Sequence, residues 1–140
     1  MTVVVDTNVL PGMFATGHGY RPIADAWFDG IFVWAVSTEI LLEYEEVLVQ
    51  LKGHAMARRI LALIERVGAL QGNLHRVSPS FSFRTIPTDL NDDKFADCAI
   101  IADADHIITS DKHFSRLVGS GYKPQPIALE KFITRFLTPA

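Results

Sequence analysis

The sequence predicts an α/β fold built on a mostly parallel sheet, and two observations carry that prediction. Short β-branched runs at Val3 to Val5, Ile31 to Val36 and His106 to Thr109 alternate with segments of helical period, the pattern of strands joined by helical crossovers. The first of these runs closes on Asp6, and the third is soon followed by Asp111. Sheets of this kind place their working sites just beyond the carboxyl ends of their strands.

The elements follow in order. Val3 to Val5 reads as a buried strand. Pro22 to Asp29 has a short helical pattern ended by Gly30, and Ile31 to Val36 is a second strand. Ser37 or Thr38 offers an N-cap for a helix through about Leu51, with Ile40, Leu41, Tyr44, Val47, Leu48 and Leu51 in helical register. Gly53 breaks it, and a further helix covers His54 to Val67 with Gly68 as its stop. Residues 71 to 90 hold Gly72, Pro79 and Pro87 and read as loop with one or two short strands near Arg76 and Phe83. Asn91 caps a helix from Asp92 to about Ala104. After the strand at His106 come a short helix over Lys112 to Val118, the turn Gly119-Ser120-Gly121, a last strand at Ile127 and Ala128, and a last helix from Leu129 to Leu137. There is no internal repeat.

Composition narrows the function classes. With 140 residues, 49% hydrophobic and 21% charged, the chain suits one globular domain with one core. No apolar run approaches the roughly 20 residues of a membrane helix, and Asp6 cuts the apolar start too short for a signal peptide. A lone cysteine, Cys98, excludes an internal disulfide framework and a cysteine-based zinc cluster, and a reducing, cytoplasmic setting is expected. The net charge is -3 but unevenly spread. Asp89, Asp92, Asp93, Asp97, Asp103, Asp105 and Asp111 crowd one stretch, while from Lys52 to Arg84 six Lys and Arg residues face a single acid, Glu65. Two solvated faces would account for this; so would a metal site serving an anionic substrate, with Arg58 and Arg59 as phosphate contacts.

Several acids stand in costly places. Asp6 ends an apolar strand, where Asp-Thr-Asn is also ordinary turn chemistry; Asn8 is then either a turn residue or a donor that steadies Asp6. Asp97 interrupts Phe95-Ala96-Asp97-Cys98-Ala99-Ile100-Ile101-Ala102, a helix apolar on nearly all sides. An ionised carboxylate there costs several kcal/mol unless paired or bound to metal. Asp93 lies one turn earlier on the same face, so the two repel without a cation. Asp92 and Asp93 also suit a helix first turn, and Lys94 lies off their face. Glu43 and Glu45 border the apolar stripe of their helix on opposite sides, and periodicity does not choose between them. Asp6, one of these glutamates, Asp93, Asp97 and Asp111 together offer an all-oxygen set of the kind that hard Mg²⁺ or Mn²⁺ prefers. Two such ions activate water and stabilise the leaving oxygen of a phosphodiester.

At this point the pattern resembles PIN-domain ribonucleases. Val3-Val-Val-Asp6-Thr7-Asn8-Val9-Leu10 is similar to their opening signature, and Ser37-Thr-Glu-Ile-Leu-Leu-Glu43-Tyr-Glu-Glu-Val-Leu48 to their second motif. Asn91-Asp-Asp93-Lys-Phe-Ala-Asp97-Cys-Ala99 and Ile107-Ile-Thr109-Ser-Asp111-Lys-His-Phe114 are similar to the third and fourth. The subgroup most resembled is the toxin component of toxin–antitoxin operons, the VapC-like proteins. The resemblance implies one PIN-like nuclease domain over residues 1–140, a three-layer α/β/α sandwich on about five mostly parallel strands. It implies an Mg²⁺- or Mn²⁺-dependent endoribonuclease acting on RNA, with Asp6, Glu43, Asp93 and Asp111 as the acidic quartet. Asp97 would be a further metal ligand and Thr109 an orienting hydroxyl. The third motif offers both Asp92 and Asp93 for one place. The resemblance also implies a small antitoxin partner and a homodimer, with Leu42 and Val49 as non-core apolar residues for an interface.

Other classes fit less well. A haloacid-dehalogenase-like phosphatase needs a second Asp where Asn8 stands, and the Asp103-Ala-Asp105 pair of a Toprim-like reading falls at a helix end. A housekeeping RNA-processing nuclease would share the same acids, whereas a non-catalytic nucleic-acid-binding module would have no need of them. The five histidines lack zinc spacing, Cys98 reads as a core thiol, and Phe14, Tyr20 or Phe114 near the strand ends are candidates for base stacking.

Overall fold

The structure, a computed structural model, describes residues 1–78, 90–110, 112–118 and 121–137, with backbone alone for 90–93, 112, 113 and 116. Five parallel strands form one sheet in the order β3-β2-β1-β4-β5. They are β1 (Thr2–Val5), β2 (Val33–Val36), β3 (Leu74–Arg76), β4 (His106–Ile108) and β5 (Gln125–Ile127). The central strand β1 pairs Val3 with Trp34 on one side and Val3, Val4 and Val5 with His106, Ile107 and Ile108 on the other. Successive strand residues point to opposite faces, yet Val3, Val4 and Val5 are all fully buried. Helices therefore cover both faces in an α/β/α sandwich, which is why the strand reads as an unbroken apolar run.

Among the described residues, six α-helices surround the sheet: α1 (Leu10–Met13), α2 (Arg21–Phe28), α3 (Thr38–Lys52), α4 (His54–Gln71), α5 (Leu90–Ile101) and α6 (Leu129–Phe132). A 3-10 turn over Lys112–Leu117 and a π-helical turn over Ile133–Leu137 complete the described elements. The single-turn α1 is too short to show a period in the sequence. Ser37 caps α3 by accepting the Ile40 N–H at 3.3 Å, and the helix buries Ile40, Tyr44 and Leu48. Leu51, expected in the apolar stripe, is 65% exposed.

The expected stop at Gly68 is corrected. Helix α4 runs on to Gln71, and Gly72, left-handed at φ 70°, caps it. Gly68 is there for space: a Cβ on it would lie 2.4 Å from the Leu74 Cβ, so the glycine lets α4 approach β3. The end of α5 is also earlier than expected. Asp103 turns left-handed at φ 54°, its N–H reaches Ile100 O at 3.1 Å, and the Ala104 N–H reaches Ala99 O at 2.9 Å. These are the two bonds of a Schellman stop, made on an aspartate because its short polar side chain tolerates that backbone.

The carboxyl end of α2 and the start of β3 are tied by a reciprocal clamp. Trp27 Nε1 donates to Asn73 O at 3.0 Å, and Asn73 Nδ2 donates to Trp27 O at 2.8 Å. The Trp27 ring meets Trp34 edge-on at 5.1 Å. At the opposite edge, the Gln125 N–H donates inward to Asp105 O. Strand alternation then turns the Pro126 nitrogen outward, where a missing N–H blunts the free edge of β5. The strand expected near Phe83 lies outside the described residues. Among the described residues, no helix is long and apolar enough to cross a membrane.

Candidate active site

Of the candidate acids, Asp6 and Glu43 stand at the carboxyl edge of β1. Because Val5 and Ile108 are register partners, the next residues of each strand leave the sheet together. The Asp6 N–H donates to Ile108 O at 3.0 Å and the Thr109 N–H to Ile127 O at 3.0 Å, so the backbone of both is fixed by the sheet. Thr109 Oγ1 donates to Asp6 Oδ2 at 2.7 Å. Asp6 is 3% exposed, and a carboxylate so far from water needs such donors or a cation. The Val9 N–H closes the Asp-Thr-Asn turn on Asp6 O at 3.0 Å, so the turn reading holds.

Helix α3 brings the glutamate. Its N-cap follows β2 directly, which puts Glu43 in the second turn above the same sheet edge. The next residue, Tyr44, is fully buried and its hydroxyl donates to Val5 O, pinning α3 to the end of β1. Burial, with the nearby Asp6 and Glu43 carboxylates adding to it, holds the Tyr44 hydroxyl well above its ordinary pKa and so keeps it a donor. Glu43 accepts from Thr7 Oγ1 and from Lys94 Nζ, the latter at 2.8 Å. Glu45 is exposed.

Asp97 is 8% exposed on α5, among Phe95, Ala96, Cys98 and Ala99, all fully buried, and α5 packs against β1, β2 and β4. Asp93 lies one turn before it on the same helix; its side chain, like that of Asp92, is outside the described part, as is Asp111. Among the described residues no three His, Cys, Asp or Glu side chains form a ready metal cluster. Asp6, Thr7, Glu43 and Thr109 nonetheless meet at one sheet edge from β1, α3 and β4, through two side-chain hydrogen bonds.

Three expectations change. Asn8 is exposed and makes no side-chain hydrogen bond among the described residues; Thr109 gives Asp6 its donor, and Thr7 makes the turn's link to a second acid. Phe114 is fully buried edge-on against Phe95 at 6.4 Å and is closed to a base, whereas Phe14 and Tyr20 are half-buried. Lys94, set aside because it lies off the face of Asp93 and Asp97, serves an acid on another helix. Thr7, Tyr44 and Lys94 were not found by sequence reasoning. Spacing along one helix carries no signal for a partner on a different one.

Burial, reinforced by the neighbouring Asp97 charge, pushes the Cys98 thiol up to about 12 from an ordinary value of 9.0. The folded state therefore keeps a proton that the unfolded chain loses. The thiol's contribution to stability is full below about pH 9 and is lost as pH rises toward 12, by about 1.4 kcal/mol per pH unit. Denaturant midpoints of wild type should fall more steeply than those of Cys98→Ala between pH 9 and 11. Parallel curves would show that the native thiol titrates normally.

A PIN-domain family model matches residues 2–113. The chain belongs to the PIN-domain family. No curated protein matches it in sequence. Solved structures show the same fold at low identity. This PIN domain is similar to VapBC2 from Rickettsia felis, bound to a DNA fragment from its promoter, with a TM-score of 0.57 and 14% identity over 91% of this chain and 98% of that one. It is similar to VapBC-1 from nontypeable Haemophilus influenzae, with a TM-score of 0.56 and 17% identity over 94% and 100% of the two chains. It is also similar to Mycobacterium tuberculosis VapC20, a toxin that cleaves the sarcin-ricin loop, with a TM-score of 0.53 and 14% identity over 86% and 95%.

Proposed function

We propose that residues 1–140 are a single PIN nuclease domain that hydrolyses RNA phosphodiester bonds with Mg²⁺ or Mn²⁺, as the toxin of a toxin–antitoxin pair in the cytoplasm. One observation carries the reading: the buried Asp6 carboxylate at the end of the central strand, held by Thr109, with the adjacent Thr7 bonded to Glu43. The donor set fits a hard divalent cation, since it is all oxygen and a cationic group, the Lys94 ammonium, already sits on Glu43. Asp6, Glu43, Asp93, Asp97 and Asp111 would hold the metal. When bound, it supplies an activated water and stabilises the departing oxygen.

The protein's own part is orientation. Thr109 fixes which Asp6 oxygen faces the pocket, and Thr7 does the same for Glu43. Tyr44 holds α3 at the distance this needs. Exposed Arg58 and Arg59 on α4 are offered as phosphate contacts, which would make RNA binding weaken with salt. A small antitoxin partner and a homodimer belong to the same reading; VapBC structures share the fold, and Leu42 on α3 is 61% exposed. Val49 is half-buried against the core and is the lesser candidate.

Purified protein with Mn²⁺ should cut single-stranded RNA, and EDTA should stop it. Cleavage that continues in EDTA, or none in Mn²⁺ at any pH from about 6 to about 9, the span over which a metal-bound water near pKa 7 becomes hydroxide, would overturn the proposal.

A further inference from the structure

Glu43 has two tethers of different chemistry. Thr7 Oγ1 donates to its Oε2 from the turn after β1, and Lys94 Nζ lies 2.8 Å from its Oε1 from the first turns of α5. The pair is mostly out of water, with Lys94 18% and Glu43 23% exposed. An ion pair so placed is screened far less than a surface pair. The ammonium thus occupies one of the two oxygens that Glu43 can offer a divalent cation.

We propose that Lys94 is a positioning residue: its ammonium holds Glu43 as the internal countercharge of the metal-free pocket and is displaced from Oε1 when a divalent ion binds. This rests on the metal-dependent reading above and adds to it what sets the metal affinity. Two cations at one carboxylate repel each other, so an ion that takes Oε1 competes with Lys94 for it. The pocket then fills only above a threshold of free metal, and in its absence α3 and α5 stay tied together through the pair.

The test measures Mn²⁺ binding by electron paramagnetic resonance, without RNA and without turnover. Lys94→Met should bind Mn²⁺ about tenfold more tightly than wild type. Lys94→Arg keeps the charge and should bind it about as wild type does. If Lys94→Met does not fold, the wild type itself decides. In protein labelled at lysine Cε, the Lys94 signal, assigned as the one missing from Lys94→Arg, should move toward that of a solvated lysine as Mg²⁺ is added. Equal Mn²⁺ affinity in Lys94→Met and wild type, or a Lys94 signal that stays in place while Mg²⁺ binds, overturns this inference alone. A wild type that binds no Mn²⁺ overturns the metal-dependent reading together with it.

Discussion

Asp6→Asn should lower RNA cleavage by roughly a hundredfold or more while leaving the fold intact. Loss of an outer-sphere support to a metal ligand alone costs about 10- to 100-fold, and here the proposed ligand itself loses its charge. The substitution keeps shape: an amide oxygen still accepts from Thr109 Oγ1, and the backbone bond from the Asp6 N–H to Ile108 O is untouched. Circular dichroism and melting temperature should therefore match wild type, so that lost activity reports chemistry rather than unfolding. Equal cleavage by the two proteins would assign the activity to a contaminant or to a site that does not include Asp6. The amide nitrogen adds a donor where a cation would sit, so Mn²⁺ binding should weaken in parallel with the rate. A rate loss with unchanged Mn²⁺ affinity would take Asp6 out of the metal's ligand set.

Legibility of this site in the sequence depended on whether the signal was local. The end of β1 was legible because an unbroken run of valines marks a strand buried on both faces, and an aspartate directly after it marks where the chain leaves the sheet. Thr109 was marked by the PIN-domain resemblance, two residues before Asp111, and its bond to Asp6 is seen only in the fold. The mostly parallel sheet followed from the alternation of elements, and the count of about five strands from the PIN-domain resemblance. Other features are settled only by contacts between distant segments. Glu43 and Glu45 are equivalent on a helical wheel, and only the arrival of Thr7 and Lys94 separates them. Gly68 looks like a stop because glycine usually weakens a helix; the close approach of Leu74 that requires it belongs to another element. Asn8 and Thr7 are equally good turn residues, and the choice between them depends on where α3 lies. Asp93 and Asp111 remain sequence-based assignments, since the side chain of the first and the whole of the second lie outside the described residues.

Asp97→Asn should reduce the rise in melting temperature that Mn²⁺ produces. Asp97 is almost fully buried in an apolar stretch of α5, and Asp93 stands one turn before it. A negative charge in that place is opposed by desolvation and by any neighbouring carboxylate. A cation at a hundredfold excess over its dissociation constant stabilises the wild type by about 2.7 kcal/mol, and a variant lacking one ligand binds it less well and receives less of that. The shift that Mn²⁺ adds should therefore be smaller in the variant than in wild type. If Asp97 instead serves a purely structural hydrogen bond or ion pair within the fold, Asp97→Asn should be less stable than wild type with and without metal, by the same amount. Four melts, wild type and variant in EDTA and in Mn²⁺, separate these outcomes. A destabilised variant with an undiminished response to Mn²⁺ would remove Asp97 from the metal site and leave the pocket to Asp6, Glu43, Asp93 and Asp111.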